Sequence, residues 1–168
     1  SNFFAAELRK INLQLRPSAS AIYLPGSPLP ATLLPDIPDR SNQGIVVCGT
    51  PVGTDDYVKE EMQKVTDKYD KLHERTRQMD DAQCQYILLR FCTCQNLNHW
   101  MRTVRPDLMQ DAADAFDGET LATLQRLLWS TAEQTQHHVA LTELQIMQVR
   151  QHCKLGGLGL SSTALIKS

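Results

Sequence analysis

The sequence predicts an α+β fold that is mainly α, with a short β-hairpin and partial sheet followed by a helical bundle. The stretch 44–53, Gly-Ile-Val-Val-Cys-Gly-Thr-Pro-Val-Gly, holds two short apolar runs around a glycine, which is typical of a tight hairpin. Residues 57–72 carry an apolar stripe at helical spacing, and residues 82–101 are apolar nearly all round. With 168 residues and 42% hydrophobic content, the chain can bury a core of its own.

Residues 1–53 are predicted to hold a helix, a strand and the hairpin. Apolar side chains within residues 3–13 recur at helical spacing, which predicts a short amphipathic helix that Pro17 ends. The apolar run 19–24 predicts a short buried strand. Five of the eight prolines fall within residues 25–43, which predicts a surface loop because proline interrupts both helices and central strands.

The hairpin is predicted to pair residues 45–48 with residues 50–52. Gly49 and Gly53 give the backbone the freedom that the two bends need. Thr54 and the two acids after it offer an N-cap and first-turn negative charge for the helix that follows.

Residues 54–153 are predicted to form a helical bundle, and residues 154–168 a C-terminal extension. The second helix, over 82–101, is expected in the bundle centre because no face of it is polar. The stripe on the first long helix consists of Val58, Met62, Val65, Tyr69 and Leu72.

Three shorter helices complete the predicted bundle. Two of them, around 108–116 and 121–128, are expected on either side of Gly118. The last one is expected over 139–149, with the glycines at 156 and 157 in the position that stops a helix.

Adjacent aspartates occur twice, as Asp55-Asp56 and as Asp80-Asp81, each time just before a predicted helix. A two-metal catalytic site displays its carboxylates on a hairpin between apolar strands, and neither pair has that context. We therefore interpret both pairs as helix caps that satisfy free N–H groups and the helix dipole.

Asp111, Asp114 and Asp117 stand three apart and could share one helix face. Such spacing could hold a cation if a second acidic cluster faced it. Since the sequence offers no such cluster, we interpret the three aspartates as a solvated face.

The cysteines do not predict a metal site. Cys92 and Cys94, with His99 nearby, stand two apart, so on a helix they point about 200° from each other and cannot share one ion. The five cysteines are interpreted as small buried thiols of a protein in a reducing compartment, inside the cell, either the nucleus or the cytoplasm.

Two further motifs are interpreted as neither catalytic nor cofactor-binding. The pairs His137-His138 and His152-Cys153 have no strand-to-helix turn and no oxyanion loop beside them, so a hydrolase is not predicted. The glycine motif 156–159 follows a helix rather than a strand, so it cannot present a helix N-terminus to a pyrophosphate. Its flanking leucines are expected to pin this segment to the bundle.

The charge balance gives no global reason to bind nucleic acid, since 17 basic and 19 acidic residues leave a net charge of −2. No apolar run approaches the roughly 20 residues of a membrane span, and no membrane partner is expected. The chain begins Ser-Asn-Phe-Phe, without methionine and within a helical pattern, which we interpret as a truncation of a longer chain. The first long helix alternates Lys or Arg with Asp or Glu, as a solvated face does, although its cations could follow a phosphate backbone.

Three segments in order resemble the downstream half of a reverse transcriptase of the non-LTR retrotransposon kind. Residues 11–23, which contain Leu-Arg-Pro-Ser-Ala-Ser, are similar to the helix, turn and strand of the family's motif D. Residues 44–53 are similar to its primer-grip segment, Gly-Ile-x-Val-Leu-Gly-x-Pro-Ile-Gly. Residues 155–160 resemble the Gly-Gly-Leu-Gly-Leu that follows the thumb domain. The chain departs from the family at Ala19, where the family has a lysine that acts on the leaving pyrophosphate.

The resemblance implies that residues 1–53 are the end of the palm and that residues 54–153 are the thumb. The primer-grip-like turn would be formed by Cys48, Gly49 and Thr50. Gly49 is the strongest single candidate because a glycine turn lets the backbone approach a primer end closely. The candidate phosphate contacts of the thumb are Lys64, Lys68, Lys71 and Arg75.

The resemblance further implies a polymerase fragment without its chemistry. The sequence contains no Phe/Tyr-x-Asp-Asp motif, so no catalytic residue, metal site or dNTP site is expected in this chain, and Mg²⁺ is expected only in a full-length polymerase. The expected partners are an RNA–DNA template–primer duplex and the remaining palm and fingers. Two alternatives stay open: a non-catalytic helical interaction or scaffold domain, favoured by the net charge of −2, and a decayed retroelement relic.

Overall fold

The chain is α+β and mainly α, as the sequence predicts. The structure is a computed structural model that describes residues 2–12, 14, 16, 20–26, 39–129 and 140–165. It divides into two compact units, residues 1–61 and residues 62–168.

The first unit begins with helix α1, Asn2–Lys10. The helix ends earlier than Pro17 because Asn12 takes a left-handed conformation, with φ of 57°. Asparagine tolerates that conformation better than most residues with a side chain, so it can end a helix as glycine does.

A parallel pair of short strands follows, β1 at Ala21–Tyr23 and β2 at Asp39–Ser41. The strand predicted over 19–24 is therefore present but shorter. Part of the predicted proline-rich loop is wrong, because residues 39–41 form a strand; residues 27–38 of that loop lie outside the described residues.

The predicted hairpin is confirmed. Strands β3, Gly44–Val47, and β4, Thr50–Gly53, pair in antiparallel fashion, with Val47 opposite Thr50. The two residues between them, Cys48 and Gly49, both have positive φ, 51° and 81°. Positive φ at both central residues is what a type I′ turn requires, and that turn suits the twist of a hairpin.

Helix α2, Asp55–Arg77, carries the predicted apolar stripe and runs from the first unit into the second. Thr54 Oγ1 accepts a hydrogen bond from the N–H of Tyr57, 3.4 Å away, and Asp55 and Asp56 occupy the first turn, so the capping interpretation of this acid pair is confirmed. The buried face includes three polar residues that the apolar stripe did not predict, namely Thr66, His73 and Thr76.

The single buried helix predicted over 82–101 is wrong. Helix α3, Ala82–Leu88, passes into a π-helical segment, Leu89–Thr93, and helix α4 covers Asn98–Thr103. The Cys94 N–H bonds the Leu89 carbonyl, five residues back, at 3.0 Å, so the α-helical hydrogen-bond pattern is broken there. Asp81 caps α3 by accepting from the Cys84 N–H at 2.9 Å, as predicted for this acid pair.

The two helices predicted around Gly118 are one helix, α5, Pro106–Leu128. Pro106 lies in its first turn, where proline removes no hydrogen bond. The helix continues through Gly118 because tertiary packing on both sides offsets the low helix propensity of one glycine; Phe116 and Thr120 are both buried.

Helix α6, Glu143–Arg150, starts with a capping box between Thr142 and Gln145. The predicted start at 139 lies outside the described residues. The glycines do not stop this helix: Gly156, with φ of 83°, ends a short 3₁₀ turn, Cys153–Leu155, that follows it.

One buried cluster of the second unit joins α3, the π-helical segment, α5, α6 and the C-terminal segment. Its buried members are Leu89, Cys94, Leu124, Val149 and Leu160. Half-buried side chains that pack against it are Tyr86, Leu121, Leu141 and Leu158.

Candidate nucleic-acid interface

The turn between β3 and β4 presents two of the three candidate primer-grip residues. Cys48 and Gly49 are exposed at the tip, whereas Thr50 is only 9% exposed. Three valines beside the tip are about half exposed, namely Val46, Val47 and Val52. The backbone of Cys48 and Gly49 is therefore accessible to a ligand, while the Thr50 side chain has little surface to offer.

The four candidate phosphate contacts form a stripe on α2. Lys64, Lys68, Lys71 and Arg75 are all exposed and follow each other at steps of 4, 3 and 4 residues. These steps place them on one helix face, over a length of about 16 Å. We call these four residues the basic stripe. It lies opposite the face that buries Met62 and His73.

Acidic residues flank the basic stripe on the side towards α5. A shallow depression there is lined by Asp67, Asp70, Lys71, Glu74, Arg77 and Glu119. Arg77 donates to Glu119 at 2.7 Å. Burial raises the pKa of Asp70, the nearby charges of Glu119 and Asp67 raise it further, and that of Arg77 lowers it. Four carboxylates against two cations leave the lining of the depression negative. A phosphate backbone is therefore repelled on the side of the basic stripe that faces α5, and it can approach the stripe from the opposite side.

The three aspartates of α5 do not all lie on a solvated face. Asp111 and Asp114 are exposed as predicted, but Asp117 is only 8% exposed. Its carboxylate accepts from the Ser162 hydroxyl, from the Thr163 N–H at 2.8 Å and from the Ala164 N–H at 3.3 Å.

The guanidinium of Arg150 lies 3.5 Å from the Asp117 carboxylate. Asp117 therefore ties the C-terminal segment to α5 and α6. The sequence held one sign that Asp117 is buried, since it follows Phe116 and lies three residues before Thr120, both of which are buried. The sequence did not indicate its hydrogen-bond partner Ser162, 45 residues further along the chain.

The segment Gly156–Leu160 is held on the bundle, as its leucines predicted. Gly159 N–H donates to the Gln151 carbonyl at 2.8 Å, and Leu160 N–H to the Val149 carbonyl at 3.2 Å. Tyr86 Oη donates to the Leu158 carbonyl at 2.6 Å. This part of the family-like motif has a structural role, since it fastens the end of α6 to α3.

Most of the cysteines are not buried, which corrects the prediction. Cys48, Cys84, Cys92 and Cys153 are exposed, and only Cys94 is buried. Burial, with a contribution from the charge of Asp117, raises the pKa of the Cys94 thiol to about 12. In the described residues no group of three or more His, Cys, Asp or Glu side chains could hold a metal ion.

The pair His152-Cys153, for which no catalytic role is predicted, lies at a 3₁₀ turn. His152 Nδ1 accepts from the Lys154 N–H at 3.1 Å and so caps the 3₁₀ turn that holds Cys153. The pair His137-His138 lies outside the described residues.

No protein-family model, curated protein or solved structure matches the chain significantly. No helix in the described ranges is long and apolar enough to cross a membrane.

Proposed function

We propose that this chain is part of a retroelement RNA-directed DNA polymerase, in which it binds the RNA–DNA template–primer duplex and carries no catalytic aspartates. The observation that carries the proposal is the exposed two-residue turn of Cys48 and Gly49. The strand that follows this turn, β4, leads directly into the long helix α2. The order of hairpin, helices and Gly-Gly-Leu-Gly-Leu segment is also the order of the family that it resembles.

The turn and the basic stripe would perform different parts of this function. A left-handed turn without a bulky side chain at Gly49 lets backbone atoms approach the end of a primer strand. The basic stripe would neutralise phosphates along one strand, which contributes affinity without reading sequence. Catalysis, Mg²⁺ and dNTP binding would belong to the rest of the polymerase.

Binding of a labelled RNA–DNA hybrid at about 50 mM and about 200 mM salt tests the proposal. We expect binding at the lower salt concentration that weakens strongly at the higher one. Absence of binding at both concentrations would contradict it. The isolated chain is expected not to incorporate dNTPs, so incorporation would also contradict the assignment as a part without catalytic residues.

The turn can be tested without disturbing its geometry. Cys48→Asp keeps a residue pair, Asp-Gly, that favours the same turn type, yet adds a negative charge where the primer end would lie. We expect weaker hybrid binding, while Cys48→Asn, which favours the turn equally and adds no charge, should bind as the unmodified chain does. Equal binding by both variants would remove the turn from the interface.

A second function, as a helical interaction or scaffold domain, is favoured by one observation. Leu144, Met147 and Leu155 are exposed and line a common groove beside α6. Exposed apolar groups that lie together often mark contacts between proteins. Hybrid binding that is absent at low salt, in a chain that is folded by circular dichroism, would favour this alternative.

A further inference from the structure

The π-helical segment exposes an aromatic ring. Phe91 is 61% exposed, although Leu89 and Thr93 on either side of it are buried. Ile87, one turn earlier, is 44% exposed. A single exposed apolar side chain is common on protein surfaces, but π-helical segments occur frequently at functional sites.

A guanidinium accompanies the ring. The Arg90 Cζ atom lies 4.6 Å from the centroid of the Phe91 ring, within the distance of a cation–π interaction. Since the ring remains largely exposed beside this cation, part of its aromatic surface is open to a second planar group.

The surroundings of this pair carry positive charge. Residues 82–105 contain three arginines and no Asp or Glu. Two carboxylates of α5 act on this segment: Asp107 pairs with Arg105 at 2.5 Å, and the charge of Asp117 raises the pKa of the Cys94 thiol. Asp117 is buried and hydrogen-bonded to the C-terminal segment, with Arg150 beside it. At Phe91 a polyanion would therefore meet the Arg90 guanidinium, in contrast to the acidic flank of α2.

We propose that Phe91 and Arg90 form a stacking platform for an unpaired nucleotide of single-stranded RNA or DNA. The phenyl ring offers a π-face to the base, and the guanidinium attracts the adjacent phosphate. Ile87 is the other large apolar residue exposed in residues 82–105, so the apolar area is small for docking a folded protein. This inference goes beyond duplex binding and does not depend on it, because stacking requires an unpaired base and no polymerase.

Fluorescence anisotropy with short labelled single-stranded RNA and DNA, and with a blunt RNA–DNA hybrid, tests the platform. Phe91→Ala should lose about tenfold or more in affinity for single strands and leave hybrid binding unchanged. Phe91→Leu should show a similar loss, because it keeps apolar volume but has no π-face. Leu144→Ala is the matched control, since Leu144 is 78% exposed on α6 and should have no effect.

Two further readouts separate stacking from charge. The loss in Phe91→Ala should be equal at about 50 mM and about 200 mM salt, because stacking releases no counterions. Photocross-linking with an oligonucleotide that contains 5-iodouridine should place the cross-link on the peptide that holds Phe91. Comparison of RNA with DNA then shows which strand the platform prefers.

The platform is overturned if no single strand binds at low salt, if Phe91→Ala binds as Leu144→Ala does, or if Phe91→Leu keeps full affinity. The last result would favour a protein partner at an apolar patch. Absence of hybrid binding by the unmodified chain, with single-strand binding intact, would contradict the polymerase proposal alone, so the two failures are distinguishable.

Discussion

His73 is a polar residue on the inner face of α2 and is fully buried. Its Nδ1 lies 3.2 Å from Thr123 Oγ1, and its ring packs edge-on against Phe116. Burial lowers the pKa of the imidazole to about 4; the charge of Glu119 opposes this shift and that of Arg77 adds to it. The ring is therefore neutral in the folded chain at neutral pH.

The pKa of His73 predicts a stability that depends on pH. It is lower in the folded chain than the usual 6.5, so protons bind preferentially to the unfolded chain and stability falls as pH decreases from 6.5 towards 4. The contribution of His73 to the free energy of unfolding should be about 2 kcal/mol smaller at about pH 5 than at about pH 7.5. Urea unfolding of the chain and of His73→Leu measures this difference; an equal pH dependence in both would contradict it.

Asp117 is the residue whose removal should cost most at the C-terminal end. Asp117→Ala leaves two backbone N–H groups and the Ser162 hydroxyl without their acceptor, so the free energy of unfolding should fall by roughly 2–4 kcal/mol. Asp114→Ala, on the exposed side of the same helix, is the control and should change it by less than about 0.5 kcal/mol. Chemical denaturation of both variants decides; equal values would contradict the role of Asp117.

At the scale of elements, the two glycines 118 and 157 have opposite roles. Gly118 lies within α5, exposed, and a Cβ there would meet no atom within 4 Å. Gly157 lies so close to the end of α6 that a Cβ there would overlap the Gln151 carbonyl. One glycine is replaceable, and the other is required by backbone approach.

We expect Gly118→Ala to raise the free energy of unfolding by roughly 0.5–1 kcal/mol, because alanine has the higher helix propensity and nothing obstructs it. Thermal unfolding should show a higher midpoint. A lower midpoint would mean that the glycine has a contact or conformation that a continuous α5 does not require.

Gly157→Ala should instead lower the free energy of unfolding by roughly 1–3 kcal/mol, because the segment must move away from α6. Hydrogen exchange would locate the effect: the N–H groups of Gly159 and Leu160, which bond α6 carbonyls, should lose protection first. Unchanged protection at these two positions would contradict the role of this segment in fastening the end of α6 to α3.

At the scale of the whole molecule, the net charge of −2 does not describe the local charge, because basic and acidic side chains are separated from each other on its helices. The basic stripe of α2 is opposed by an acidic flank, and residues 82–105 have no carboxylate. Local potential therefore matters more for a polyanionic partner than the net charge does.

The basic stripe predicts the salt dependence of hybrid binding. Four neutralised phosphates give a slope of log affinity against log salt of about −3 to −4, which is roughly a hundredfold loss between about 50 and 200 mM. Lys64→Gln should reduce the slope by about 1. Lys59→Gln is the control, since Lys59 lies about 140° away round the same helix; equal slopes in both variants would contradict a role for the stripe.

The spacing of apolar residues and the positions of turn and cap residues were sufficient to predict the hairpin, helix α2 and the two aspartate pairs at helix starts. The prediction failed where it depended on a single local signal. Gly118 predicted a break that packing overrides, and residues 82–101 predicted one buried helix although a π-helical segment turns Phe91 outward. Of the candidate site, Cys48, Gly49 and the basic stripe are exposed and Thr50 is largely buried, while their roles in binding stay predictions.

The sequence by itself determined the hairpin, α2 and the helix caps, because hydrophobic period, caps and turn residues act between neighbours in the chain. Only the tertiary structure decided what Asp117, His73 and Phe91 do. Their environments depend on partners far along the chain, as in the hydrogen bonds of Asp117 to residues 162–164, or on a shift in helical register. Burial and desolvation arise from contacts between elements, so a carboxylate, an imidazole or a phenyl ring acquires its role only when those elements pack.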